Sequence, residues 1–311
     1  MGKYRADLPQ LKPGLFVSDG GMETTFIFHE GVDLPEFASF VLLDSEEGRA
    51  RLRAYYERYL AIARRHGRGI ILDGATWRAN ADWGAKLGYD VAALRRINAL
   101  SIELIEGLRA EWETPDAPIV IGGAIGPRGD GYVAGRMSAG EAEAYHAPQI
   151  ETFAQTAADM VGAYTLTYVE EAVGIARAAR AANMPCAISF TVETDGRLVS
   201  GPTLGDAIET VDRETDAAPA YYMVNCAHPA HFEQALAADE PWMRRLAGVK
   251  ANASMKSHAE LDQSTTLDSG DPDDLGRRCK SLRAAHPSLR ILGGCCGTDE
   301  RHVAAICEAC A

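Results

Sequence analysis

A short β-prone run that ends in Gly, Asp, Asn or Thr and passes into a helical stretch recurs eight times along this 311-residue chain. The runs are Leu15–Asp19, Gly69–Thr76, Pro118–Gly126, Met160–Thr165, Cys186–Val192, Tyr221–Cys226, Val249–Ser254 and Leu289–Cys295. Glu46–His66 and Asp90–Trp112 carry Leu, Ile and Tyr at spacings of three and four and are predicted helices, as are Ser138–Ala158, Val169–Asn183, Leu204–Thr215, Ala230–Leu246, Asp273–His286 and Asp299–Cys310. Strands that alternate with helices pair in parallel, and eight such units in roughly 300 residues match one (β/α)₈ TIM barrel. A single domain over residues 1–311 is expected, since 47% hydrophobic content is enough for one large core. An open doubly wound sheet is the alternative. It would place a phosphate-binding glycine fingerprint after its first strand, and Asp19-Gly20-Gly21-Met22-Glu23 is not one. The predicted loops are Gly126–Arg136, Asp195–Pro202 and Lys256–Pro272, the last long and polar enough to serve either as a lid or as a plain connection.

Barrels of this type work at the C-terminal ends of their strands. The polar residues offered there are Asp19, Asp73 with Thr76, Tyr164, Glu193, Cys226, Asn252, and Cys295 with Cys296. The last pair stands in Gly293-Gly294-Cys295-Cys296-Gly297-Thr298. Adjacent cysteines seldom bond to one another because the ring is strained. Two neighbouring thiols on a glycine-bracketed turn are better suited to one metal ion, and Cys226, which ends another apolar run, is the best third ligand. Zinc prefers four ligands at about 2.3 Å from sulfur, so three cysteines leave one position open. Three thiolates against a dication make a poor Lewis acid for water but a good seat for a further soft thiol, held as the nucleophilic thiolate. Asn225, beside Cys226, is placed to orient or tune a thiolate through a hydrogen bond.

A formal charge of −13 and a pI near 5.1 argue against nucleic acid or an anionic membrane surface as partner. The start of the chain lacks the apolar core of a secretory signal, no stretch has the length of a membrane helix, and seven cysteines fit reduced thiols in the cytoplasm.

Asp19-Gly20-Gly21-Met22, Gly122-Gly123-Ala124-Ile125-Gly126-Pro127, Val224-Asn225-Cys226 and Gly293–Thr298 together resemble the homocysteine S-methyltransferase family, from about Leu15 to Cys310. The Asn-Cys and Gly-Gly-Cys-Cys-Gly-Thr pair is the specific part. The resemblance implies a (β/α)₈ barrel, zinc on Cys226, Cys295 and Cys296 with the substrate sulfur as fourth ligand, and methyl transfer to homocysteine to form methionine. It also implies that Asp19 meets the ammonium of the amino acid, that Gly20 and Gly21 shape the turn, and that backbone amides around Met22 and Glu23 meet the carboxylate. One helix follows the cysteine pair, so a small diffusible onium donor is expected rather than one carried on an appended folate- or cobalamin-binding module. Such a donor leaves as a neutral molecule, and no catalytic side chain is expected beyond the metal centre.

Two residues and one short segment depart from the family pattern. Tyr164 stands where many members have a glutamate that grips the ammonium, and Glu23 stands where a small or apolar residue is common. Either Glu23 supplies the missing carboxylate or the acceptor is a different small thiol. Asp73-Gly74-Ala75-Thr76-Trp77 replaces an Asn-Thr-Phe type sequence, and Trp77 is either a packing aromatic or a face for a cationic donor. A zinc hydrolase or lyase and a non-catalytic thiol or metal sensor on the same barrel are the readings from other classes. Cys307 and Cys310 are read as structural, Cys186 and Cys279 as core or surface thiols, and His228, His231 and His258 as capping or solvent-facing.

Overall fold

The computed structural model describes residues 1–236 and 240–311. Eight strands, β1 (Phe16–Ser18), β2 (Gly69–Asp73), β3 (Ile119–Ile125), β4 (Met160–Leu166), β5 (Cys186–Phe190), β6 (Tyr221–Asn225), β7 (Leu246–Ala251) and β8 (Ile291–Gly294), follow one another in order around a closed barrel. All pairs are parallel, and β1 closes on β8 through Phe16 beside Ile291 and Val17 beside Leu292. Every strand residue is buried. Both faces are covered, which is why the strands read as unbroken apolar runs.

Side chains alternate across each strand. Phe16, Ile71, Val120, Met160, Tyr221, Met223 and Ile291 pack together inside the barrel, while Val17, Ile70, Ile119, Ile121, Val161 and Leu292 meet the helices outside. Asp73 and Asn225 lie two residues beyond Ile71 and Met223 of this inner layer, and Tyr164 and Lys250 join them at the top of the interior. Asn225 and Lys250 are ladder partners. The N-terminal segment closes the other end. Gln10 is fully buried between Met160 and Tyr221, and Tyr4 N donates to Asp159, itself paired with Arg109 at 2.7 Å.

The predicted helices at Glu46, Asp90, Ser138, Val169, Leu204, Asp273 and Asp299 all form, with ends shifted by a few residues. All but the one at Val169 start on a side-chain cap, among them Ser45, Asp90, Thr203, Asp271 and the capping box of Ser138 with Glu141. The helix expected over Ala230–Leu246 does not form as one piece. Pro229–Phe232 makes a single helical turn and Pro241–Arg245 a 3₁₀ turn, because each proline fits the first turn of a new helix and not the interior of an old one. Residues 237–239 of that stretch lie outside the described residues. The connection after β1 holds the helical turn Met22–Thr24 and a π-helical turn Thr25–His29, and Lys256–Pro272 contains the short helix His258–Asp262. Among the described residues no helix is long and apolar enough to cross a membrane.

Candidate active site

Cys226 follows the last residue of β6 with φ of 52°, in the left-handed region that costs a side-chain-bearing residue about 1–2 kcal/mol. Its carbonyl is held by Asn252 Nδ2 at 3.0 Å and His258 Nε2 at 2.7 Å, which fixes the turn. Cys295 and Cys296 follow β8 on a turn tied by Thr298 Oγ1, which donates to Cys295 O at 2.7 Å. A side chain at Gly294 would collide with Thr298, and Gly297 has φ of 79°, so this turn needs glycine at both places.

These two turns bring the three sulfurs within 4.8 Å of one another, with Cys226 and Cys296 3.9 Å apart. Tetrahedral bonds of about 2.3 Å put two zinc-bound sulfurs about 3.8 Å apart, so the spacing suits one such ion. Each sulfur also has a polar neighbour: Thr165 Oγ1 at 3.8 Å from Cys226, Asn225 Nδ2 at 3.9 Å from Cys295, and Tyr132 Oη at 3.8 Å from Cys296. Asn225 is itself locked, accepting from Thr165 N at 2.8 Å and Ser189 Oγ at 2.7 Å. Hydrogen bonds from Cys295 and Cys296 hold the Cys226 thiol well below the ordinary thiol range, and the bond with Cys226 pushes Cys295 up to about 12. Metal binding to such a trio requires the thiols to give up their protons.

The sulfurs lie in the wall of a cavity of about 310 Å³ at the mouth of the barrel. Asp19, Gly20, Gly21, Met22, Glu23, Tyr164 and Asn225 line the same cavity, together with Trp77, Arg78, Asp73 and Lys250. Asp19 is buried, with Lys250 Nζ 2.9 Å from Oδ1 and the Tyr55 hydroxyl 3.1 Å from Oδ2. Lys250 also reaches Asp73 Oδ2 at 3.3 Å, and the Tyr164 hydroxyl donates to that same oxygen at 2.7 Å. Burial alone would lower the Lys250 ammonium; Asp19 and Asp73 outweigh it and raise it, so the lysine is a cation. Glu23 accepts from Ser39 Oγ at 2.7 Å, and burial pushes its carboxyl up against that bond.

Sequence reasoning did not single out Lys250, Tyr132 or Thr165. Lys250 had a visible signal as a lone charge inside an apolar strand. Tyr132 lies in the loop after β3 and is stacked on His258 at 4.1 Å between centroids. His258 is buried rather than solvent-facing, with Nδ1 3.0 Å from Glu193 and its other nitrogen on Cys226 O. His228 caps Ala230 N, as read from the sequence, and His231 bonds Met255 O at 2.9 Å. Trp77 donates from Nε1 to Tyr164 O at 3.2 Å and carries Arg78 above its ring. Cys186, Cys279, Cys307 and Cys310 are buried free thiols away from the cavity.

The family described as homocysteine S-methyltransferase matches residues 16–310. Among solved structures, the homocysteine methyltransferase MmuM from Escherichia coli is similar in three forms. The metallated form has a TM-score of 0.74 at 21% identity over 96% of both chains. The oxidized form has 0.73 at 23% over 97% of this chain and 98% of that one, and the apo form 0.70 at 22% over the same shares. At such identities the likeness establishes the fold. Comparison with curated proteins gave no match.

Proposed function

Because the chain belongs to the homocysteine S-methyltransferase family, and is thus a methyltransferase, we propose that it is a zinc enzyme that moves a methyl group from a small onium donor to the sulfur of homocysteine, forming methionine. The observation that carries this reading is the Cys226, Cys295 and Cys296 trio facing a cavity of small-molecule size. Zinc bound by the three sulfurs would offer its fourth position to the acceptor's sulfur and keep it deprotonated at neutral pH. The chain's own residues then position the reactants. Thr165, Asn225 and Tyr132 donate towards the three cysteine sulfurs and moderate their charge. The walls exclude water and hold the acceptor sulfur in line with the methyl carbon, an arrangement that can supply about 7–11 kcal/mol of the barrier. Trp77 and Tyr132 give the mouth two aromatic surfaces suited to a cationic donor. Family membership leaves no observation in favour of the hydrolase or sensor readings.

A donor screen tests this reading. S-methylmethionine, S-adenosylmethionine, betaine and dimethylsulfonium compounds are each offered with homocysteine to the zinc-loaded protein, and methionine is measured. Formation from at least one donor, abolished by chelation and restored by zinc, is expected. Full activity in protein shown by elemental analysis to hold no metal would overturn the zinc assignment.

A further inference from the structure

The place where an amino-acid ammonium would meet Asp19 is filled by an ammonium of the protein itself. Lys250 Nζ sits 2.9 Å from Asp19 Oδ1 and 3.3 Å from Asp73 Oδ2, and the Tyr55 hydroxyl takes the other Asp19 oxygen. The lysine side chain is 10% exposed and each carboxylate less. A buried charge with good partners does not exchange them for a solvated one without loss. The strand-four position beside this cluster is also spent. Tyr164 offers a hydroxyl, and that hydroxyl is bound to Asp73 at 2.7 Å. Glu23, which also lines the cavity, is bonded to Ser39 Oγ at 2.7 Å.

We propose that Lys250 is a built-in substitute for the acceptor's ammonium group, so that the enzyme methylates small thiols without an α-amino group about as well as homocysteine. The inference rests on the reading that the acceptor's sulfur is held at the cysteine trio. The chemistry at sulfur is unchanged. The thiol loses its proton on binding, a new S–C bond forms to the donor's methyl group, and the donor's C–S or C–N bond breaks with the electron pair leaving on the neutral product. Only the far end of the acceptor differs. A site whose buried carboxylate waits for a substrate N–H rejects an analogue lacking it by roughly 10⁴-fold. A site that carries its own cation has no such unpaired group and does not discriminate in that way.

The test compares homocysteine with 4-mercaptobutyrate, its counterpart without the amino group, on the zinc-loaded protein. Two quantities are read: Kd of each thiol by calorimetry, and kcat/KM of each with the donor found in the screen. The two thiols are expected to agree within about tenfold in both, well short of the discrimination above. Lys250→Met alone would leave two carboxylates facing each other and is at risk of misfolding. The pair Lys250→Met with Asp73→Asn keeps the cluster's net charge and leaves Asp19 as a carboxylate in want of a cation. That protein is expected to shift the preference towards homocysteine by at least about tenfold. A wild-type preference for homocysteine well beyond about tenfold would overturn the inference while leaving methyl transfer intact. An unshifted ratio in a folded double variant overturns it as well. Failure of either thiol to bind the zinc-loaded wild type overturns the functional reading and this inference with it.

Discussion

Two kinds of residue make this site, and they differ in how far their partners lie along the chain. Cys295 and Cys296 are neighbours, bracketed by glycines, and their place together at one strand end could be read from the sequence. Cys226 was readable because it ends an apolar run in the same way. Lys250 was not, because its partners Asp19 and Asp73 are 231 and 177 residues away and only the closed barrel brings them together. The trio gives the first residue-scale prediction. Cys295→Ser replaces a soft thiolate by a hydroxyl of much higher pKa, so zinc content should fall well below one per chain while the barrel remains folded. Elemental analysis and circular dichroism check both halves. Full zinc in Cys295→Ser protein would remove Cys295 from the ligand set.

The strands and the helices were legible for different reasons. Parallel strands buried on both faces leave continuous apolar runs, and all eight were located. Most helices showed a clear period, but the stretch read as a helix over Ala230–Leu246 holds only the short turns Pro229–Phe232 and Pro241–Arg245 among its described residues. The turns after β1 had no such pattern, being held by packing against the barrel rather than by their own periodicity. The connection Lys256–Pro272 was the open case. Its short helix begins at His258, which spans from Glu193 to the carbonyl of Cys226 and stacks on Tyr132. Two connections, after β3 and after β7, therefore meet over one cysteine. Partners behind metal ligands typically account for about 10–100-fold in metal affinity. His258→Ala should weaken zinc binding by that order, and His258→Gln, whose amide can still donate to the carbonyl, should recover part of it. Competition with a chromophoric chelator measures both. Equal affinities in all three proteins would show that the strained Cys226 turn holds without this element.

At the scale of the molecule the barrel separates what stabilises it from what it does. The sulfurs, Lys250 and the cavity occupy the C-terminal ends of the strands; Asp159, Arg109 and the N-terminal segment occupy the opposite end. Asp159 is fully buried ahead of β4, where it accepts from Arg109, from Tyr4 N at 2.7 Å and from Ile121 N at 2.9 Å. Removing one member of a buried ion pair leaves the other charge uncompensated and costs about 3–5 kcal/mol. For a chain of this length that corresponds to a fall in Tm of roughly 5–10 °C. Asp159→Ala should therefore melt earlier, also loosening residues 1–12, which proteolysis of the N-terminal segment would report. Zinc content and the KM for the thiol should stay as in the parent, because among the described residues the partners of Asp159 do not line the cavity. A variant with unchanged Tm but a raised KM would mean that the two ends of the barrel are coupled, and that the layers of side chains between them transmit strain rather than absorb it.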